Sequence, residues 1–387
     1  MTSTQGVKTA KDAEALVLGL GMFGTGGGGL AERGRGYLRS LFEDRVEVTW
    51  VPLGHIDPDV LTCSVYGMGS IAPHPPMNPA EMRSFGVDGE RHARPWIRAV
   101  EELESYLGEP IGAIVPMELG PSNTLVAVDA AARTGRALID GDYIGRALPK
   151  MSQALPAILG LDTWPLAICD PWGNALIMLD CPSPKVAERI GKMVSRVTKT
   201  VNTGASCSHA AFPNRASRLA GAIVPGTLSR SLEIGHRVLE ARSVGGDAIA
   251  AAVNAGSGCL LFRGSVTNRS WEDTADGYME GTTVITGADS YADSTAKIWF
   301  QNEHHVFWRD DSVAASSPDV IAVVDVENGE PISNTELEPG RDVAVLGFKA
   351  PSAYRSGLAL AATAPRHYGF DIDWVPIEQL NPNGSWQ

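Results

Sequence analysis

Basic clusters, long apolar runs and closely spaced cysteines are all missing from this 387-residue chain, and each absence argues against a class of function. Acidic residues outnumber Lys and Arg 45 to 32, for a formal charge of −13, and no local basic tract offsets that balance, so no nucleic-acid partner is expected. The apolar runs are interrupted by Gly or Pro far short of a bilayer span, so no membrane partner is expected either. The opening MTSTQGVKTAKDAEA lacks the basic-then-apolar layout of a secretion signal. The five cysteines (Cys63, Cys169, Cys181, Cys207 and Cys259) are scattered, odd in number and never spaced CxxC; this points to a reducing, cytoplasmic setting rather than a disulfide framework. GxSxG, HExxH and GxxxxGK[ST] are absent as well, which argues against serine hydrolases, helix-based metalloproteases and P-loop enzymes.

What the chain does have is glycine, concentrated in EALVLGLGMFGTGGGG at 14–29. An apolar run, Ala15 to Leu20, leads through Thr25 into Gly26, Gly27, Gly28 and Gly29, and a polar, Arg-rich helical pattern opens at Leu30. Residues without a Cβ expose backbone N–H groups and allow close approach. A helix starting just beyond them adds the positive end of its dipole, a geometry for an anion or a carbonyl-rich heterocycle. The plain alternative is a turn between a strand and a helix. Gly19 to Gly24 is formally GxGxxG, but no acidic residue closes a strand some 20 positions on, as a ribose site requires.

The first half alternates strand and helix signals. Val46–Pro52 and Ile111–Val115 read as strands; Trp96–Leu107 carries a helical apolar stripe, and Asn123–Thr134 is Ala-rich with Gly135 as its stop. Ala137–Ile139 is a brief strand entering Asp140. This rhythm predicts an α/β N-terminal domain with a mainly parallel sheet over 10–180. Pro182 and Pro184 bracket a linker into a second domain over 181–380, with helices at about 185–197 and 224–242 and then a β-rich unit. Its strands are expected at 258–262, 282–285, 297–301, 319–326 and 342–346, with Asn328-Gly329 as a turn.

Polar groups recur where strands of the first domain should end: Thr25–Gly29, Glu118–Asn123 and Asp140–Arg146. Ligands of open α/β sheets gather at such ends, so the three segments are expected to meet in one crevice. Glu118, Asp140 and Asp142 are the candidate acids and bases or cation ligands, and Arg146 the candidate partner for a substrate carboxylate or for one of the aspartates. Helix capping competes as a role for each acid. Asn123 joins Thr25 and Gly26–Gly29 as a substrate contact. Cys207 and His209, in the small-residue stretch TGASCSHAAFP, form a C-x-H pair that suits two ligands of a divalent metal such as zinc; a buried cysteine beside a hydrogen-bonded histidine is the alternative. His304 and His305 would face opposite sides of a strand, and Glu303 before them is placed to touch the other domain.

GTGGGG at 24–29, ELGPSNT at 118–124, DGDYIGRALPKMSQ at 140–153, GTLSRSLEIG at 226–235, QNE at 301–303, PDVIAVVDVENGEPI at 318–332 and PRHYGFDIDWVPIE at 365–378 together resemble the S-methyl thiohydantoin desulfurase family. The resemblance runs in order through nearly the whole chain and implies two domains, α/β then β-rich. It also implies hydrolytic release of methanethiol from an S-methylated thiohydantoin, leaving a hydantoin. Against the family pattern D-x-D-G-M-G-R-A-F-P-E, Asp140, Asp142, Gly145, Arg146 and Pro149 match, whereas Tyr143, Ile144, Leu148 and Lys150 depart. Gly-Pro-Ser-Asn stands where Gly-Gly-x-Asn is usual. These departures bear on the substrate and leave the expected fold intact.

Three readings follow. The first is a hydrolase of a hydantoin-like ring, in which the acids activate water directly or through a metal. The second is a non-catalytic binding or accessory subunit of a hydantoinase- or oxoprolinase-type system. The third is a nucleotide-dependent ring opener. A small heterocyclic substrate and a homo-oligomer are the expected partners.

Overall fold

Thr9 opens the first long helix, α1 (Ala10–Gly24), with a capping box: its hydroxyl accepts the Asp12 N–H at 3.1 Å while the Asp12 carboxylate takes the Thr9 N–H at 2.9 Å. The apolar run that reads as a candidate strand is therefore a helix. It is apolar on all sides because it is covered on all sides, which erases the amphipathic period. Residues 5–197 and 207–386 are described in this computed structural model. After the glycine loop come α2 (Ala31–Glu43), α3 (Pro95–Leu107), α4 (Asn123–Thr134), α5 (Pro184–Val197), α6 (Thr227–Ser243) and α7 (Ala248–Gly256). Gly135 closes α4 in the left-handed conformation, as its position in the sequence predicts.

α1 and α6 cross at backbone contact distance. A Cβ on Gly19 would lie 1.8 Å from the Ser231 carbonyl oxygen, and one on Gly235 would lie 1.7 Å from that of Ala15. The GxGxxG of the sequence is thus a packing device: Gly19 meets α6, Gly21 meets Pro331 and Gly24 meets Pro121.

The first sheet contains β1 (Leu61–Gly69), β2 (Ala113–Val115), β3 (Ala137–Leu138), β4 (Leu166–Cys169), β5 (Ala175–Met178) and β6 (Cys207–Arg215) in the order β3-β2-β1-β6-β4-β5. Only β1–β2 and β2–β3 pair in parallel; β1–β6, β6–β4 and β4–β5 are antiparallel. The sheet is mixed rather than mainly parallel. The physical reason is β6, which enters from beyond the Pro182–Pro184 linker and pairs on both sides. Its small residues and Pro213 read as a loop in the sequence.

The second sheet is antiparallel throughout, in the order β11-β10-β9-β8-β7-β13-β12, from β7 (Gly258–Asp273), β8 (Met279–Gly287), β9 (Thr295–Gln301), β10 (Glu303–Arg309), β11 (Ser312–Ser316), β12 (Val320–Asp325) and β13 (Asp342–Phe348). The β-rich C-terminal half follows the sequence reading, with β7 and β8 longer than their apolar centres. A continuous core joins the halves: α1 and α6 pack between the first sheet's helices and the β12–β13 face, where the Phe23 and Phe348 rings lie 5.9 Å apart. This sandwiching brings the glycine loop against β10.

Candidate functional site

Glu118 follows β2 at the corner into α4, where the sequence places it. Its carboxylate is anchored at both oxygens: Asn123 Nδ2 donates to Oε1 at 2.8 Å, and the Leu148 N–H donates to Oε2 at 2.9 Å. Asn123 is itself fixed, because its Oδ1 accepts the Gly67 N–H of β1 at 2.6 Å. Burial pushes Glu118 up to about 7, against the opposing pull of these two hydrogen bonds and of the Arg146 and Lys192 charges.

Glu303 arrives from the other half. β9 and β10 join through Asn302, held in the left-handed region (φ 57) by Met279, whose backbone both accepts the Asn302 N–H (2.7 Å) and donates to its Oδ1 (2.9 Å). Asn tolerates that conformation better than most residues do. The tight reversal turns Glu303 inward; it is 2 % exposed, and its Oε2 has no hydrogen-bond partner among the described residues. Burial first, then the charge of Glu118, raises it well above the usual carboxylate range.

Glu118 and Glu303 line one cavity of about 460 Å³, shared with Asn123, Asn302, Glu188, Lys192 and His209 and with apolar surface from Tyr66, Met68, Met117, Leu148 and Met151. On α5, Glu188 and Lys192 are one turn apart with Nζ to Oε1 at 3.6 Å. Glu188 accepts from the Tyr278 hydroxyl (2.5 Å) and the Met151 N–H (2.9 Å); Lys192 donates to the Gly277 carbonyl (3.1 Å) and sits 3.4 Å above the Tyr278 ring. Burial raises Glu188 and lowers Lys192, which brings the two forms of each group closer in energy.

The glycine loop is filled mainly by protein. A Cβ on Gly27 would lie 2.0 Å from Glu303 Oε1, one on Gly28 would lie 2.6 Å from the Gly120 Cα, and Gly26 packs on His304 and Asn334. Only Gly28 and Gly29 of the expected cradle line the cavity. Thr25 turns the chain (φ 49), accepts the His304 N–H on its carbonyl at 2.8 Å, and is buried.

Of the three segments expected to converge, Glu118–Asn123 reaches the cavity by its side chains, and Thr25–Gly29 only by the backbone of Gly28 and Gly29. No residue of the third segment, Asp140–Arg146, lines the cavity; the chain reaches its wall only beyond that segment, at Leu148 and Pro149. No helix starts at Tyr143. Asp140 instead caps α6, accepting the Leu228 and Ser229 N–H groups at 3.1 Å each and the Ser229 hydroxyl at 2.5 Å. Asp142 is buried, takes the Ile144 and Gly145 N–H groups at 2.9 and 2.6 Å, and is pushed up to about 7 by burial. Arg146 is a buried staple between the halves: it donates to Thr25 Oγ1 (2.9 Å) and to the carbonyls of Ala147 (2.9 Å), His304 (2.8 Å) and Asp319 (2.7 Å).

His209 lines the cavity with its Nδ1 unpartnered among the described residues, and burial lowers it to about 3, so it is neutral. The side chain of Cys207 lies outside the described residues. Among the described residues no three His, Cys, Asp or Glu side chains cluster as a metal site. His304 and His305 do engage different partners: His304 bonds the Ile321 carbonyl and Asn334, and His305 stacks on Tyr368. Sequence reading missed Glu188 and Lys192, whose only signal is an i, i+4 acid–base pair on a helix. Glu303 carried the signal of an acid directly after a polar Gln-Asn corner.

No helix among the described residues is long and apolar enough to cross a membrane. A protein from Chromobacterium violaceum, solved by crystallography, shares the fold with a TM-score of 0.72 at 22% identity, covering 95% of this chain and 98% of that one. No curated protein matches the sequence. Two family models do, S-Me-THD-like N-terminal domain over residues 11–180 and S-Me-THD-like C-terminal domain over residues 185–377. The chain belongs to the S-Me-THD-like family, that of the S-methyl thiohydantoin desulfurases.

Proposed function

We propose that the cavity hydrolyses the C–S bond of an S-methyl thiohydantoin-like ring, releasing methanethiol and leaving the ring carbonyl. One observation carries the reading: two buried carboxyl groups, Glu118 and Glu303, share a mainly apolar cavity but differ in environment. Glu118 is the base. Both its oxygens already accept N–H bonds, which favours the ionised form, and its shifted range suits proton transfer near neutral pH. Glu303 is the acid. Its unpartnered Oε2, its burial and the neighbouring Glu118 charge favour the protonated form.

In the forward step Glu303 gives its proton to the ring nitrogen of the thioimidate, which makes the adjacent carbon electrophilic. Glu118 removes a proton from water as the water oxygen bonds to that carbon. The C–S bond then breaks, and the departing sulfur takes the proton held by Glu118. The remaining hydroxyl proton returns to Glu303 as the carbonyl forms, so both carboxyls regain their starting states. Lys192 supplies positive charge for the developing anion. No step is routed through a metal.

Thiol release from an S-methyl thiohydantoin, with the hydantoin identified by mass, tests the reading on wild type, Glu118→Gln and Glu303→Gln. Turnover by the wild type that is lost in both variants is the expected result. Tight hydantoin binding without thiol release would favour the binding-subunit reading instead. Metal analysis of the same active preparation reports on the Cys207–His209 pair: turnover that tracks bound zinc would overturn the metal-independent scheme.

A further inference from the structure

Tyr66, on β1, is buried and lines the cavity, yet among the described residues its hydroxyl donates only to Met151 Sδ, at 3.7 Å. A thioether is a weak acceptor, and a buried tyrosine O–H ordinarily finds an oxygen or nitrogen. Better acceptors in the same wall are already engaged. Glu118 receives Asn123 Nδ2 and the Leu148 N–H; Glu188 receives the Tyr278 hydroxyl and the Met151 N–H. Tyr66 therefore keeps a donor that a ligand can claim. Building on the proposed function, we infer that Tyr66 is a further catalytic residue: its hydroxyl passes from Met151 to the methylthio sulfur of the substrate and stabilises that sulfur as the C–S bond breaks.

The chemical match comes first. Met151 ends in CH₃–S–C, the same group that an S-methylated ring presents, so Tyr66 is already paired with the class of atom it would receive. The surroundings agree. Met68, Met117, Leu148 and Met151 share the cavity wall with Tyr66, a soft and uncharged lining that suits a methylthio group and offers a ring carbonyl no donor from its side chains. The opposing helix is cut back to admit it: a Cβ on Gly191 of α5 would lie 2.0 Å from Met68 Sδ.

Position is the third support. Glu118 protonates the departing sulfur, so the sulfur must lie beside that carboxyl. Met117 precedes Glu118 in the chain and Leu148 donates to it, which puts this soft lining on both sides of the acid. Tyr66 senses both nearby carboxylates: burial first, then the Glu188 charge and more weakly that of Glu118, raises its phenol well above the usual range, so it stays a donor near neutral pH. No covalent bond is made or broken at Tyr66. The C–S electron pair goes to sulfur, Glu118 supplies the proton that completes methanethiol, and the phenol proton remains on its oxygen. The O–H···S bond strengthens while charge builds on sulfur, so it favours the transition state over the bound substrate. When methanethiol leaves, the hydroxyl returns to Met151.

Tyr66→Phe removes one oxygen and keeps the ring, which packs edge-on against Phe212 at 6.1 Å. The test measures single-turnover thiol release by the intact wild type and this variant from two rings of similar length, S-ethyl and S-trifluoroethyl thiohydantoin. The fluorinated thiolate is the better leaving group and needs less help. The variant should release ethanethiol about 10–100-fold more slowly than the wild type, and the fluorinated thiol within about threefold of it. Calorimetric binding of the hydantoin product, which has no sulfur, should be unchanged. An equal deficit on both rings, or none on either, overturns the inference, because the hydroxyl would then serve the ring or the scaffold. A hydantoin affinity that falls as far as turnover overturns it too. No thiol release by the wild type from either ring sinks the hydrolytic reading and this inference with it; release by the wild type with an equal deficit in the variant sinks the inference alone.

Discussion

Replacing Glu118 by Gln tests the electrostatics of the site without needing a substrate. In the folded chain burial holds this carboxyl at about 7, against 4.5 for an unperturbed glutamate. Because the folded-state value is the higher one, Glu118 favours folding most when both states are protonated. That contribution is lost as pH rises from below the unfolded value through the folded one. A shift of this size, at about 1.4 kcal/mol per unit, makes the wild type lose roughly 2–3 kcal/mol through Glu118 alone between about pH 5 and about pH 8. Asp142 (about 7), Asp319 (about 6) and Glu303, all raised by burial, act in the same direction, so the total pH dependence cannot be assigned to one residue. The variant removes Glu118 from that sum. Urea unfolding at the two pH values gives four stabilities; contributions that do not depend on the Glu118 charge, such as that of Asp319, cancel in the double difference, which holds Glu118 together with its coupling to Glu303 and Asp142. Relative to wild type, Glu118→Gln should gain roughly 2–3 kcal/mol on going from the lower to the higher pH, whatever its absolute stability. Parallel stability curves, with a double difference below about 0.5 kcal/mol, would mean that Glu118 is not desolvated as described and would remove it as a base tuned to neutral pH.

Other substitutions separate chemistry from scaffold. Glu303→Gln should slow methanethiol release by about 10²–10⁴-fold and flatten the alkaline limb of kcat/KM, since that limb reports loss of the acid's proton; an unchanged pH profile assigns the acid elsewhere. Gly235→Ala places a methyl 1.7 Å from the Ala15 carbonyl oxygen, so urea unfolding should show a loss of at least about 1–3 kcal/mol. Asp140→Ala should cost about 1 kcal/mol through the α6 cap; loss of turnover at unchanged stability would instead return Asp140 to the chemistry.

Local signals marked the elements that depend on local physics. α4 was legible to the residue because a helical period ends at a glycine able to take the left-handed conformation. The strands 319–326 and 342–346 were legible from β-branched, apolar runs. α1 was not, because burial on every face removes the period that distinguishes helix from strand. β6 was not, because its small residues become a strand only when β1 and β4 bind its two edges. Among the acids, Glu118 could be found because it stands at a strand end with its partner Asn123 five residues on. Asp140 and Asp142 carry the same signal, but what they face depends on α6 and on the turn at 143–145.

Residue patterns alone carried the family, the β-rich second half, the acidic corner at Glu118 and the fact that the chain at 26–29 must pass unusually close to something. What that something is followed from long-range packing. A missing Cβ states that space is short but carries no information about the atom that occupies it. Here the occupant at Gly27 is the carboxyl of Glu303, delivered by the β9–β10 corner from the other half of the chain, and it completes the pair with Glu118.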